Sequence, residues 1–204
     1  MLRSAWTVFG VAVALLLVAC GGSPTASSST PSAPETASAP QQSPSPVSLD
    51  PCQLVTSAEA SSLAGVTFAA GKPGTTDGGA NTCVYGYQTL NVFNVLVTQA
   101  KDAATAQADW TQEQAKAQAA INQGIPAGAN VNLNVTDLSG VAGADKAALA
   151  TFTTTISGET LGITAIYLLK GAVFLTFSDL VVGHAPPTAA AIEAQAVTSL
   201  KRLP

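Results

Sequence analysis

Histidine is almost missing from this 204-residue chain: His184 is its single imidazole. Cysteine is nearly as scarce, with three (Cys20, Cys52 and Cys83) and no C-x-x-C pair. Metal centres are built from clustered His, Cys and carboxylate ligands; the sequence clusters none, so no metal and no other cofactor is expected. Charge is thin as well, at 10% of residues with a net charge of −4. Nucleic-acid binding needs a basic footprint, and a polybasic membrane patch needs the same, so neither partner is expected. Catalytic motifs are also lacking. There is no G-x-S-x-G elbow. The glycine-rich stretch 71–79 has no G-K-[ST] and no helix directly after it, so it is no phosphate loop. Asp109 and Glu113 lie one helical turn apart, as solvated pairs do, rather than converging across a cleft as glycosidase carboxylates must. His184 stands beside Pro186-Pro187 in a helix-entry loop, the setting of a solvated or capping residue. The chain is therefore read as non-catalytic.

No hydrophobic run is long enough to span a membrane comfortably. The longest, Ala5–Ala19, is broken only by Thr7 and Gly10 and follows a short N-terminus with one basic residue, Arg3. Fifteen helical residues reach about 22 Å, against about 30 Å of hydrocarbon. That length suits a signal peptide over residues 1–19. The run ends Leu17-Val18-Ala19-Cys20, followed by Gly21-Gly22. This resembles the lipobox of bacterial lipoproteins, and the resemblance implies a diacylglycerol on Cys20 and cleavage before it. Acyl chains then hold the protein, at about 0.8 kcal/mol per buried methylene. The expected location is the outer face of a membrane, with the membrane itself a partner through the lipid on Cys20.

Residues 21–49 are almost entirely Ser, Thr, Pro, Ala, Gly and Gln, with Glu35 the only charge. Such a segment buries too little apolar surface to offset ordering. Together with the lipidated cysteine it forms an expected disordered tether over residues 20–49. Proline biases it toward an extended form of about 3.1 Å per residue, so it serves either as a spacer or as a plain soluble linker.

Residues 50–204 have the length of one domain with a real core. Without Arg3 and Glu35, the chain's eight basic and twelve acidic side chains leave seven and eleven here, dispersed. With Cys20 given to the lipid, Cys52 and Cys83 remain. In an oxidising, exported compartment an even pair reads as one disulfide, the other reading being two buried thiols. Thr56-Ser57-Ala58-Glu59 is a capping box for a short helix ending at Gly65. Strands are expected over 66–70, 82–88 and 90–99, with 71–81 a loop. A long helix begins at Asp102, its apolar stripe comprising Ala103, Ala106, Trp110, Ala117 and Ile121. Residues 131–135 alternate, and three further strands over 147–156, 161–169 and 172–182 form an antiparallel meander through tight turns at 157–159 and 170–171. Thr188 opens a last helix whose buried face carries Ile192, Ala196, Val197, Leu200 and Leu203. The expected class is α+β: an antiparallel sheet covered on one face by helices, in the order helix, strands, helix, strands, helix. The two halves also suggest a crude structural repeat.

Asp50-Pro51-Cys52-Gln53-Leu54-Val55-Thr56, with Glu59 three positions on, resembles the D-P-C-x-L-(L/V)-T-x-x-E opening of a family of uncharacterised actinobacterial lipoproteins. Cys83-Val84-Tyr85 takes the place of that family's second cysteine. Leu138 to Ala147 is similar to its G-(L/V)-G-D-x-A turn, with an alanine inserted on either side of Gly143. The family in turn resembles extracellular sensor domains of actinobacterial Ser/Thr kinases. The resemblance implies a disulfide-tied α+β domain on the cell surface and no assigned activity.

The aromatic residues Tyr85, Tyr87, Phe93, Trp110, Tyr167, Phe174 and Phe177 are either core or the wall of a groove. Two readings follow. One is an envelope module that binds a ligand or partner protein; the other is a carrier of an apolar envelope molecule such as a lipid. An apolar cavity favours the second, a well-filled core the first.

Overall fold

The computed structural model describes residues 49–204, apart from residues 87–88, 124–132 and 157. The expected signal peptide, nearly all of the tether and Cys20 therefore lie outside the described residues, as do Tyr87 and Ser157. Asp50 caps the first helix, α1 (Pro51–Leu54), by accepting from the Cys52 amide at 2.9 Å, with Pro51 in the first turn where no amide is needed. The capping box at α2 (Ser57–Ala64) is present on both sides. The Glu59 amide donates to Thr56 Oγ1 at 3.2 Å, and the Thr56 amide donates to Glu59 Oε2 at 2.8 Å. Gly65 ends the helix at φ 68°, a left-handed conformation that glycine adopts without strain.

The chain after α2 departs from expectation. Residues 66–70 form no strand; the Phe68 amide donates to Ser61 Oγ at 2.9 Å and its ring enters the core. Pairing begins six residues later than expected, at β1 (Lys72–Thr75), inside the stretch read as a loop. Gly71 sets that start. A Cβ there would meet Cys83 Sγ at 2.3 Å and the Tyr85 ring at 2.7 Å, so only glycine lets the chain cross the disulfide and enter the sheet. Then follow β2 (Asn81–Tyr85), β3 (Val92–Gln99), the long helix α3 (Ala103–Gln123), β4 (Asn134–Leu138), β5 (Lys146–Ile156), β6 (Glu159–Lys170), β7 (Val173–Val182) and α4 (Ala189–Leu200). Asp102 accepts from the Thr105 amide at 2.8 Å to start α3, and Thr188 does the same for Ala191 at 3.3 Å to start α4. β4 begins three residues later than the alternating stretch expected at 131–135, of which residues 131–132 are outside the described residues.

All seven strands form one antiparallel sheet in the order β1-β2-β3-β7-β6-β5-β4. The fold is α+β. The sheet is two meanders joined where β3 meets β7. That junction forces the placement of α3. The chain leaves β3 near the middle and must reach β4 at the far edge, past β7, β6 and β5. Four strand spacings of about 4.8 Å are about 19 Å, and α3, at about 1.5 Å per residue, is long enough to cross them. Helices accordingly pack on both faces, which corrects the expected one-sided cover. α1, α2 and α4 pack on one face; α3 lies on the other, against β6 and β7. The suggested repeat fails for the same reason, since the helix after each meander goes to the opposite face.

The first face carries the main core. Leu54, Val55, Phe68, Tyr85, Phe93, Val95, Ile166, Leu168, Leu175, Phe177, Ile192 and Leu200 are buried there. Phe68, Tyr85, Phe93 and Phe177 form a row with centroids 6.1–6.4 Å apart. α4 covers it with Ile192, Ala196 and Leu200; Leu203, expected on the helix, lies beyond its end but is buried too, while Val197 is only half-buried. The chain's end is fastened to its beginning. Arg202 bonds Glu59 through both guanidinium nitrogens, at 2.6 and 2.8 Å, and its Nη1 also donates to the Leu54 carbonyl at 2.7 Å. On the second face, α3 presents Ala106, Trp110, Ala117 and Ile121 to the sheet, whereas Ala103 is exposed. Pro46–Pro204 is one compact unit with its own core and closed disulfide, which are the attributes of a domain that folds by itself.

Candidate functional site

α3 covers only part of its face. Among the described residues, nothing else covers the outward side chains of β2 and β3 or the distal ends of β6 and β7 beside it. There Val84, Val92, Leu96, Ile163, Leu180 and Val182 make an apolar floor, with Asn94 and Ser178 among them. Ala120 and Ile121 at the end of α3 form one wall, and Leu90, 71% exposed, stands at the mouth. This groove has a volume of about 470 Å³, within the range of small-molecule sites. A second compartment of about 220 Å³ adjoins it, sharing Thr76, Leu96 and Ala120 as lining, between α3, the β1–β2 turn and strands β3, β7 and β6.

The smaller compartment collects several residues singled out in the sequence. Trp110 stacks on Phe174, with centroids 6.4 Å apart and planes 15° from parallel. Tyr167 enters from β6 and Glu113 from α3, the latter paired with Lys116 at 2.5 Å. Trp110, Tyr167 and Phe174 are thus groove wall, while Tyr85, Phe93 and Phe177 are core of the other face. Asp109 is half-buried on α3 and is not among the lining residues. Two polar atoms of this compartment are buried without a partner: the Tyr167 hydroxyl and Gln114 Nε2. Burial pushes the Tyr167 phenol up to about 12, so it remains a neutral O–H at any ordinary pH.

Gln114 drew no attention in the sequence, although it falls between Trp110 and Ala117 on the buried side of the helix, where an unpartnered amide is informative. Asp179 was also passed over. It is fully buried in β7 with no partner for either carboxylate oxygen. The signal was a single acid inside the apolar strand Phe177-Ser178-Asp179-Leu180-Val181-Val182. Burial pushes its carboxyl up to about 7, with the charge of His184 pulling the other way. His184 lies outside the groove. Its Nε2 faces the Ala64 carbonyl at 2.7 Å and its Nδ1 the Val182 carbonyl at 3.2 Å, tying the end of α2 to the end of β7.

Cys52 and Cys83 form the expected disulfide, with Cα atoms 5.1 Å apart, joining α1 to β2. Beside it the Tyr85 hydroxyl donates to the Val55 carbonyl. Asp145, the acid of the sequence turn before β5, accepts from the Gly171 amide at 2.6 Å and so fastens the β6–β7 turn. Among the described residues no three His, Cys, Asp or Glu side chains gather as metal ligands would. No helix among them is long and apolar enough to cross a membrane.

The sequence model of a family described as a protein of unknown function (DUF3558) matches residues 15–158. The chain belongs to the DUF3558 family. In this DUF3558 chain the matched stretch includes all three cysteines and the α3 side of the groove, with Trp110 and Gln114. It ends at Gly158, just before β6, so Tyr167, Asp179 and His184 lie beyond it. No curated protein and no solved structure matches the chain.

Proposed function

We propose that this protein is a lipoprotein exported to the outer face of a membrane, cut before Cys20 and anchored by lipid there, and that its domain is a non-catalytic module binding a ligand in the groove beside α3. The observation that carries the binding reading is the groove itself: a mainly apolar trough, with a smaller compartment adjoining it, on the face that α3 leaves half open among the described residues. The rest of the domain is well packed, so the trough is a local feature and not a loose core. Its concave shape suits a small apolar ligand better than the flatter surface of a partner protein. That favours the carrier reading, in which the module holds an apolar envelope molecule. The Asp50–Glu59 opening resembles that of actinobacterial lipoproteins, a family that in turn resembles kinase sensor domains, and this supports a surface location and recognition rather than chemistry.

The test uses a neutral, apolar fluorophore, N-phenyl-1-naphthylamine, with purified residues 46–204. It should bind with a rise in emission, and Leu96→Trp, which fills the point where the two compartments meet, should abolish the rise while leaving the melting temperature within a few degrees. A parent protein that does not bind the fluorophore would end the groove reading.

A further inference from the structure

We propose that the groove takes an uncharged acyl lipid: an apolar chain along the β2–β3–β7 floor and an ester carbonyl or hydroxyl held between the Tyr167 hydroxyl and the Gln114 amide. This rests on reading the groove as the binding site and specifies its ligand.

The argument starts from the two unpartnered atoms. Tyr167 is 2% exposed, and its hydroxyl finds no hydrogen-bond partner in the protein; Gln114 Nε2 is buried and equally unpartnered. Buried polar groups are nearly always bonded, and leaving one unmade is among the costlier defects of a fold. Here two lie in one small compartment, one from β6 and one from α3. The cross-strand neighbours of Tyr167 are Ala148 and Thr176, so nothing larger on the sheet reaches over it. Both groups can donate: the amide nitrogen only donates, and the phenol keeps its proton. They match an oxygen acceptor.

The charges of the compartment decide which acceptor. Its acidic residues are Asp77 and Glu113, and its one basic residue, Lys116, is already engaged by Glu113 at 2.5 Å. An anionic head would meet two carboxylates and no free cation. A cationic head has no lone pair to offer the two donors. An uncharged oxygen meets both donors without penalty. Past Leu96 the trough is mainly apolar, with Val84, Val92 and Leu180 beside Asn94, Ser178 and Asp179, which suits a hydrocarbon chain. The occupant is therefore amphiphilic with a neutral head.

The experiment follows displacement of N-phenyl-1-naphthylamine from residues 46–204 by monooleoylglycerol and by oleate at pH 8, each below its micelle concentration. Monooleoylglycerol should displace the fluorophore at least tenfold more effectively than oleate. Tyr167→Phe and Gln114→Leu should each reduce the preference for monooleoylglycerol over the fluorophore about tenfold. Val135→Ser, at the far exposed edge, should leave it unchanged. Without lipid, Tyr167→Phe should melt no lower than the parent, because no internal bond is lost. Equal displacement by both lipids, or an unchanged preference in both groove variants, would overturn the assignment while leaving the groove reading intact. So would a lower melting point of lipid-free Tyr167→Phe, which would reveal a partner within the fold. Failure of the fluorophore to bind at all removes the groove reading as well.

Discussion

Asp179 is the side chain whose surroundings most oppose its chemistry. It is a carboxyl in the middle of β7, fully buried and without a hydrogen-bond donor, and His184 is the charge that acts on it. Its cross-strand neighbours, Phe93 and Thr164, are uncharged. An ordinary Asp loses its proton near 4, about its value in the unfolded chain; here burial moves that to about 7. Between these values the folded state binds more protons than the unfolded one, so stability falls as pH rises from about 4 to about 7 and stays low above it. At about 1.36 kcal/mol per pH unit the scale is about 4 kcal/mol. Asp179→Asn should raise the melting temperature by several degrees at pH 8, change it little at pH 4, and flatten the slope between. Parallel melting curves for parent and variant across pH 4–8 would exclude Asp179 as the source. Glu59 works in the opposite sense. Its hydrogen bonds with Arg202, then the Thr56 amide, hold it down at about 2, so its contribution is present above its usual range and fades as pH falls toward 2. The combined contribution of these two groups is greatest near pH 4–5.

At the scale of elements, local chemistry decided the helices, and partners decided the strands. α2 has its capping box, α3 its Asp102 cap, and α4 its Thr188 cap, each written within four residues of sequence. Thr56→Ala removes the acceptor for the Glu59 amide and loosens the carboxylate that Arg202 grips. It should cost about 1 kcal/mol, which is a shift of about 2–4 °C for a domain of this size. A thermal melt checks it, and a loss below about 0.3 kcal/mol would mean that Arg202 alone holds Glu59 in place. β1 shows the other side. Lys-Pro-Gly-Thr has poor strand character, and all four residues are exposed. It pairs because it is an edge, where Pro73 is tolerated, and because the disulfide and Gly71 bring it beside β2. No periodicity in those four residues announces it.

At the scale of the whole molecule the disulfide and the anchor set the limits. Cys52 and Cys83 are 31 residues apart, and closing that loop stabilises by about 3–4 kcal/mol on the chain-entropy account. The bridge also holds α1 against the sheet, where Leu54 accepts from Ser199 and Arg202 near the other end of the chain. The domain is thus closed on itself between its first helix and its last residues, and whatever precedes it needs to supply only position. If that position comes from lipid, Cys20→Ser should move the protein from the membrane fraction to the soluble fraction or leave it uncleaved and heavier. A variant that fractionates and migrates like the parent would remove lipid anchoring from the proposal.

Much of this fold was legible in the amino-acid order because its determinants are local. The caps, the apolar runs of β5, β6 and β7, the tight turns between them and the even pair of cysteines each act within a few residues or by simple counting. What only the tertiary structure decided is where distant elements meet. That β3 pairs with β7 follows from competition among strands of similar pattern. That pairing sends α3 across the opposite face, since the chain must pass three strands to reach β4. The groove is what α3, crossing at the far half of the sheet, fails to cover. Tyr167 and Gln114, 53 residues apart in the chain, share a compartment for the same reason. Neither carries any local mark of it, because burial without a partner is a property of surroundings and not of a residue.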